Sequence, residues 1–452
     1  MDYDFDLIVI GSGAGGGVGA EQAASLGKKV AVFENADLGG ECPNWACVPT
    51  KALLHTAEIY QRIKEAATYG LKVDRVSLDY PKVREWKNLV VSRTGAASAE
   101  KTFKEAGIIL VREKAEFISP HEVEAGGKTY SAEFFLIATG ADTFVPPVEG
   151  LAESGYLTFR EAVDFDHLPK SIFILGGGPI GCEFAQIFSL FGSQVFVADI
   201  VPRLLPRDDK EVGELIRALF EKSGVKIFLN CKVTKVARRE KEKLVYYEVD
   251  GQENVISVEE VLVATGKKPN LDLGLEKAGV VFDKKQIIVN DLMKTVAPHI
   301  YAAGDVVGPY QFTHTGNYQS YIAVSNMFSE KKLKADYRVI PRCVFTLPEV
   351  ASVGITEEEA VKQGLKIKKG IVATSIFGKA NTTNDFNGFV KVITDEEGKI
   401  LGASIVAARA SEMIHELALA MHLNAKASDV ASMIHAYPTF SEAIKVACAN
   451  VE

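Results

Sequence analysis

Cysteine is scarce in this chain. Six occur in 452 residues, at 42, 47, 182, 231, 343 and 448, too few for the disulfide framework of a small secreted protein. Positive charge is short as well: 51 Lys and Arg against 59 Asp and Glu leave a formal charge of −8, which disfavours nonspecific binding to nucleic acid or an anionic membrane. No apolar run reaches the roughly 18 residues of a membrane span. The opening residues Met1, Asp2, Tyr3 and Asp4 lack the basic stretch of a secretory signal. The expectation is a cytoplasmic protein with neither nucleic acid nor membrane as partner. Disorder is excluded by ordinary globular proportions, 47% hydrophobic and 24% charged residues. At roughly 150 residues per domain the length predicts about three domains.

What the chain has in quantity is glycine, 38 residues, and two glycine clusters recur in the same context. An apolar strand, Phe5 to Ile10, runs into Gly11, Ser12, Gly13, Ala14, Gly15 and Gly16. A second, Ser171 to Leu175, runs into Gly176, Gly177, Gly178, Pro179, Ile180 and Gly181. Both fit G-x-G-x-x-G, at Gly11, Gly13 and Gly16 and at Gly176, Gly178 and Gly181. Each is followed by a helical stretch and a second strand ending in a carboxylate, Glu34 or Asp199, 23 residues after the first glycine in both copies. Such a unit binds a dinucleotide. Glycines let the backbone reach the pyrophosphate, the helix N-terminus supplies oriented N–H groups, and the acid accepts from a ribose hydroxyl.

The duplication continues. Strands ending at Ala138 and Ala264 lead into Thr139 and Gly140 and into Thr265 and Gly266. A third apolar strand near Ile300 leads into a Gly304–Asp305 turn, where a carboxylate can meet a ligand hydroxyl. The second nucleotide unit is thus inserted in the first. From about Arg342 the pattern changes to strands and amphipathic helices. The expected fold class is α/β, two Rossmann-like dinucleotide-binding domains plus an α+β C-terminal domain, with boundaries at 1–149, 150–269, 270–340 and 341–452. One cysteine pair is close in sequence, Cys42 and Cys47, and in a cytosolic setting such a pair means redox work or a metal. No second Cys or His pair with ligand spacing accompanies it, so a resident metal is not expected.

In order and context these motifs identify a resemblance to the pyridine nucleotide-disulfide oxidoreductases, the flavoprotein disulfide reductases. The resemblance spans nearly the whole chain: the two fingerprints, C-x-x-x-x-C with Lys51 four residues beyond, the two Ala-Thr-Gly turns, the Ala-Gly-Asp turn at Asp305, and Val344 to Glu349. It implies FAD on the first unit, a nicotinamide dinucleotide on the second, and a homodimer built through the C-terminal domain. It further implies a redox disulfide in which Cys42 is the interchange thiol and Cys47 faces the flavin. Cα atoms five apart in an ideal helix lie roughly 8 to 9 Å apart, too far for an unstrained bridge, so an irregular first turn at Pro43 is expected. Lys51 and Glu183 match positions beside the flavin and nicotinamide, where they are expected to pair. Asp199 accepts from the 2′-hydroxyl of NAD and repels a 2′-phosphate, so NAD(H) is favoured over NADP(H), although Arg203 leaves a route to the latter.

The chain departs from the family at Tyr437, directly before Pro438. Dithiol-handling members carry a histidine there, paired with a downstream glutamate that corresponds to Glu442. A phenol, with an unperturbed pKa near 10, replaces an imidazole base poorly. His435, two residues away, shares Tyr437's face if the segment is extended, and a structural role is expected for it. Mercuric reductases carry tyrosine near this position, but they also have adjacent C-terminal cysteines where this chain has only Cys448, expected to be a buried thiol. The expected reaction passes electrons from NADH through FAD to the Cys42–Cys47 disulfide and on to a disulfide, a metal ion such as Hg(II) or Cu(II), or another electrophile. The alternatives are a mercuric-reductase-like or dihydrolipoamide-oxidising enzyme, and an NADH oxidase or quinone reductase whose disulfide is idle.

Overall fold

A computed structural model describes residues 2–452. The chain forms two compact units. One holds the stretch up to Ala52 together with Pro81–Phe144 and Gly266–Asp336. The other holds Leu53–Tyr80, Val145–Thr265 and Tyr337–Glu452.

The first unit is built on a seven-stranded sheet. Phe5–Ile10 lies between Val30–Phe33 and Lys128–Ile137, parallel to both. Ile109–Val111 extends one side, and Ile300–Ala302 pairs in parallel with Lys128–Ile137. The apolar run of Leu7, Ile8 and Val9 has no exposed surface at all, as expected of a parallel strand covered on both faces. The helices Ala14–Ser25 and Thr313–Phe328 pack on each other. A Cβ on Gly19 would stand 2.6 Å from Ser320 Oγ, so small residues let the helices approach closely. That contact sets the head of the second helix, Thr313, near the fingerprint.

The second unit repeats the central motif in a four-stranded parallel sheet. Its order is Lys226–Phe228, Gln194–Ala198, Ser171–Leu175, Glu260–Val263. A three-stranded antiparallel meander, residues 232–258, adds to it. The helix Pro179–Phe191 starts with proline in its first turn and ends on Gly192 in the left-handed region, start and stop signals that backbone sterics favour. The C-terminal part is a five-stranded antiparallel sheet in the order Arg342–Val344, Glu349–Gly354, Ile400–Ala407, Phe389–Thr394, Lys368–Ala373. The helices Ala410–His422 and Glu442–Ala449 cover it through a core that includes Ile405, Ile414, Leu417 and Ile444. Among the described residues no helix is long and apolar enough to cross a membrane.

Candidate active site

Strand ends create both glycine cradles. In the first unit Ile10 lies opposite Phe33 and Ile137, and in the second Leu175 lies opposite Ala198 and Val263. Three strand termini therefore stop at one level and deliver their turns together. Gly11 and Gly176 adopt φ of +100° and +109°, and a Cβ on either would sit 2.3 Å from the carbonyl oxygen of Ala138 or Ala264. A Cβ on Gly16 or Gly181 would sit 1.9 Å from the carbonyl oxygen of Gly11 or Gly176. Only glycine is compatible with these contacts. Gly13 and Gly178 precede the two helices and offer no capping side chain to the first-turn N–H groups. A Cβ on Gly178 would meet nothing within 4 Å. Space in front of a side-chain-free helix N-terminus is what a pyrophosphate requires.

The two acids sit where the spacing puts them. Glu34 Oε2 accepts from Ser12 N at 2.8 Å and Ser12 Oγ at 2.7 Å, and its Oε1 accepts from Ala36 N at 2.8 Å. Asp199 accepts from Gly177 N at 2.6 Å and Val201 N at 3.1 Å. Gly140 and Gly266 have positive φ, and a Cβ on either would point into open space. The first Ala-Thr-Gly turn is tied to the returning chain through Asn270, whose carbonyl accepts from Thr139 Oγ1 at 2.8 Å. Asp305 opens a short turn and accepts from Lys267 Nζ at 2.7 Å. Arg203, open to a 2′-phosphate on sequence grounds, is instead held by both oxygens of Glu358 at 2.5 and 2.6 Å.

Cys42 and Cys47 flank a break between helices. Gly39 and Gly40, both at positive φ, turn the chain into a single helical turn, Glu41–Asn44, and a new helix starts at Cys47. Asn44 Nδ2 clamps the turn by donating to the carbonyls of Leu38 and Gly40, 2.8 Å each. The irregularity expected at Pro43 is thus present, and the Cys42 and Cys47 side chains are in hydrogen-bond contact with each other. A hydrogen bond to the Cys47 sulfur holds the Cys42 thiol well above the ordinary range. Burial and the charge on Cys47 add to this, while Thr313 and Lys51 pull the other way. Cys47 Sγ lies 3.7 Å from Thr313 Oγ1 at the start of an 18-residue helix, where the dipole favours a thiolate.

These cradles, and the dithiol beside the first, carry the decisive comparison. Residues 5–323 match the family model for pyridine nucleotide-disulphide oxidoreductase, and residues 340–448 match that family's dimerisation domain. The chain belongs to the pyridine nucleotide-disulphide oxidoreductases. It is 38% identical over 448 residues to a dihydrolipoyl dehydrogenase of Thermus scotoductus, covering 97% of this chain and 96% of the relative. It is 33% identical to a mercuric reductase of Staphylococcus aureus, covering 99% of this chain and 82% of that one. The HOCl-induced flavoprotein disulfide reductase RclA from Escherichia coli superposes with a TM-score of 0.89 at 30% identity, over 99% of this chain and all of RclA. The protein is accordingly an FAD-dependent oxidoreductase that uses a pyridine nucleotide, and both cradles suit such groups.

The remaining candidates of this oxidoreductase lie in the second unit. Glu183, 6% exposed, accepts from Phe345 N at 3.0 Å and so fastens the Val344–Pro348 segment. Lys51, its expected partner, belongs to the first unit. The tail does not present one extended face. The His435 side chain is 4% exposed and meets Glu416 at 2.7 Å, whereas Tyr437 is 79% exposed. Glu442 accepts from Thr439 N at 3.1 Å. Cys448 is buried, and desolvation together with the Glu416 charge pushes its thiol up to about 12. Sequence reasoning missed Thr313, which carries no motif, and Lys267 and Glu41, whose only signal was adjacency to the second Ala-Thr-Gly turn and to Cys42.

Proposed function

We propose that this oxidoreductase uses NADH and FAD to cycle the Cys42–Cys47 pair and delivers the electrons to a redox-active metal ion, Cu(II) or Hg(II). The observation that carries this reading is Tyr437, a solvent-exposed phenol at the position where dithiol-handling members have an imidazole. The histidine two residues earlier in the chain, His435, is committed to Glu416, and Glu442 is used on a backbone N–H. Proton transfer to or from a substrate thiol is therefore poorly served. Two further solved structures of RclA, one of them a cysteine-to-serine mutant, are Cu(II) complexes of that protein, and the mercuric reductase relative supports the same acceptor class.

In this reading Gly11, Gly13, Gly16, Glu34, Gly140 and Asp305 hold FAD, and Gly176, Gly178, Gly181, Asp199 and Gly266 hold the nicotinamide coenzyme. The four-part layout 1–149, 150–269, 270–340 and 341–452 goes with it. Bound there, the two groups supply a two-electron path to the sulfur pair. Asp199 with Arg203 already engaged by Glu358 favours NADH, because a 2′-phosphate would meet a carboxylate and no disengaged guanidinium at that residue. Cys42 retains its proton while Cys47 carries the thiolate, with Thr313 and the Lys51 charge beside the pair. Lys51 beside the flavin and Glu183 beside the nicotinamide remain the proposed charged residues of the hydride-transfer step. Oxidation of this thiol–thiolate pair closes the disulfide, reduces two Cu(II) to Cu(I) or one Hg(II) to Hg(0), and releases the single Cys42 proton to water, so no imidazole is required. The C-terminal domain makes the enzyme a homodimer.

A second reading, turnover of a lipoyl-type substrate, is favoured by the identity to dihydrolipoyl dehydrogenases. An acceptor panel separates the two: lipoamide, glutathione disulfide, quinones, Cu(II) and Hg(II) with NADH as donor. Fast metal reduction that is lost in Cys42→Ser, with slow lipoamide turnover partly restored by Tyr437→His, is the expected pattern. Efficient wild-type oxidation of dihydrolipoamide would overturn it, and quinone turnover unchanged in Cys47→Ser would indicate an idle disulfide.

A further inference from the structure

The residue immediately before Cys42 belongs to a small buried ion cluster. Lys267 Nζ hydrogen-bonds both Asp305 Oδ2, at 2.7 Å, and Glu41 Oε2. All three side chains are at most one-fifth exposed. Lys267 opens the short strand Lys267–Pro269, whose antiparallel partner Ala141–Thr143 follows the first Ala-Thr-Gly turn, so its backbone is fixed by a ladder. Burial disfavours the ammonium, but Asp305 and Glu41 outweigh it and hold the Lys267 pKa above its ordinary range. The cluster therefore carries two carboxylates and one ammonium, a net charge of about −1, and one carboxylate rides on the turn that carries a redox sulfur.

We infer that Glu41 and Lys267 are positioning residues that set the disulfide–dithiol equilibrium of Cys42 and Cys47 by their charge, Lys267 favouring the dithiol and Glu41 the disulfide. This rests on the reading of that pair as the redox centre. Reduction consumes two electrons and one proton and leaves one thiol and one thiolate, so it adds one negative charge to the loop. The ammonium of Lys267 stabilises that charge and the Glu41 carboxylate opposes it. The other groups around the pair, Lys51 and Thr313, are untouched by changes at 41 and 267. A purely structural cluster would respond alike to loss of either partner, since both losses break the same ion pair. An electrostatic one responds with opposite signs.

The test is a redox titration of the purified, FAD-loaded protein in dithiothreitol buffers, quenched with a maleimide and read by mass at Cys42 and Cys47. Relative to wild type, Glu41→Gln is expected to shift the equilibrium about 3- to 20-fold toward dithiol and Lys267→Met by a similar factor toward disulfide, with Lys267→Arg close to wild type. Flavin absorbance of each variant reports whether the fold is kept. If Lys267→Met does not fold, Glu41→Gln and Lys267→Arg decide alone, the first by its sign. Equal or same-direction shifts in the two charge-removing variants, or a Glu41→Gln equilibrium at the wild-type value, would overturn the inference while leaving the redox reading standing. A wild-type pair that never interconverts would overturn both.

Discussion

The two glycine cradles share one scaffold and differ in what surrounds it. In both, a strand ends level with its neighbours, a positive-φ glycine tucks beneath an Ala carbonyl, and a carboxylate accepts from the N–H of the fingerprint's second residue. The first is walled in. Gly40 of the cysteine turn lies against Gly13, Gly15 abuts Ala303 before the Asp305 turn, and Glu34 takes three hydrogen bonds, two of them from Ser12. The second has Gly177 in place of Ser12, open space at Gly178 and two bonds on Asp199. A closed cradle with more fixed donors suits a group that stays bound. An open one suits a coenzyme that enters and leaves each turnover.

Matched substitutions sharpen this contrast. The largest effects are expected from Gly16→Ala and Gly181→Ala, where the added Cβ clashes equally at 1.9 Å with backbone oxygen. Each should cost about 1–3 kcal/mol of local stability or more. Gly16→Ala should yield protein depleted in flavin, seen in its visible absorbance, while Gly181→Ala should stay yellow but no longer be bleached by NADH. Identical loss of flavin from both would break the contrast. Next in size, Glu34→Gln should weaken FAD retention more than Asp199→Asn weakens NADH binding, measured as FAD released on dialysis and NADH affinity by flavin bleaching. The reason is that hydrogen bonds to a charged acceptor contribute about 1.5–3 kcal/mol each, and Glu34 has one more of them. Asp199→Ser should also raise NADPH use relative to NADH.

The fold was legible because the signals were backbone requirements. The strand Phe5–Ile10 and the strand Ser171–Leu175 occupy the residues the pattern assigns, since apolar β-rich runs end where glycine must take positive φ. The amphipathic helices expected beyond Arg342 include Ala410–His422, whose buried face carries Met413, Ile414, Leu417 and Met421. What the sequence hid were pairings across long chain separations. Arg203 is answered by Glu358, 155 residues away, and Lys267 by Glu41, 226 residues away. No periodicity encodes such contacts. His435 and Tyr437 do not share the face that an extended segment would give them, for a related reason: Glu416 on a neighbouring helix holds the imidazole inward.

The smallest expected effect is a pH dependence confined to the second unit. His167 sits between Asp166 and Glu259, and those hydrogen bonds raise its pKa above 6.5. A raised histidine pKa contributes stability that is full below the unfolded value and fades as pH rises through the folded one. The ring is half exposed, so the contribution is under about 1 kcal/mol. Thermal melts from pH 5 to 8 should show a slightly smaller loss of Tm for His167→Gln than for wild type.

The central claim is that electrons reach the sulfur pair, and an anaerobic titration with NADH tests it most directly. Flavin and disulfide each accept two electrons, so wild type is expected to take up about two NADH per FAD and Cys47→Ser about one. Equal uptake by the two proteins would contradict it.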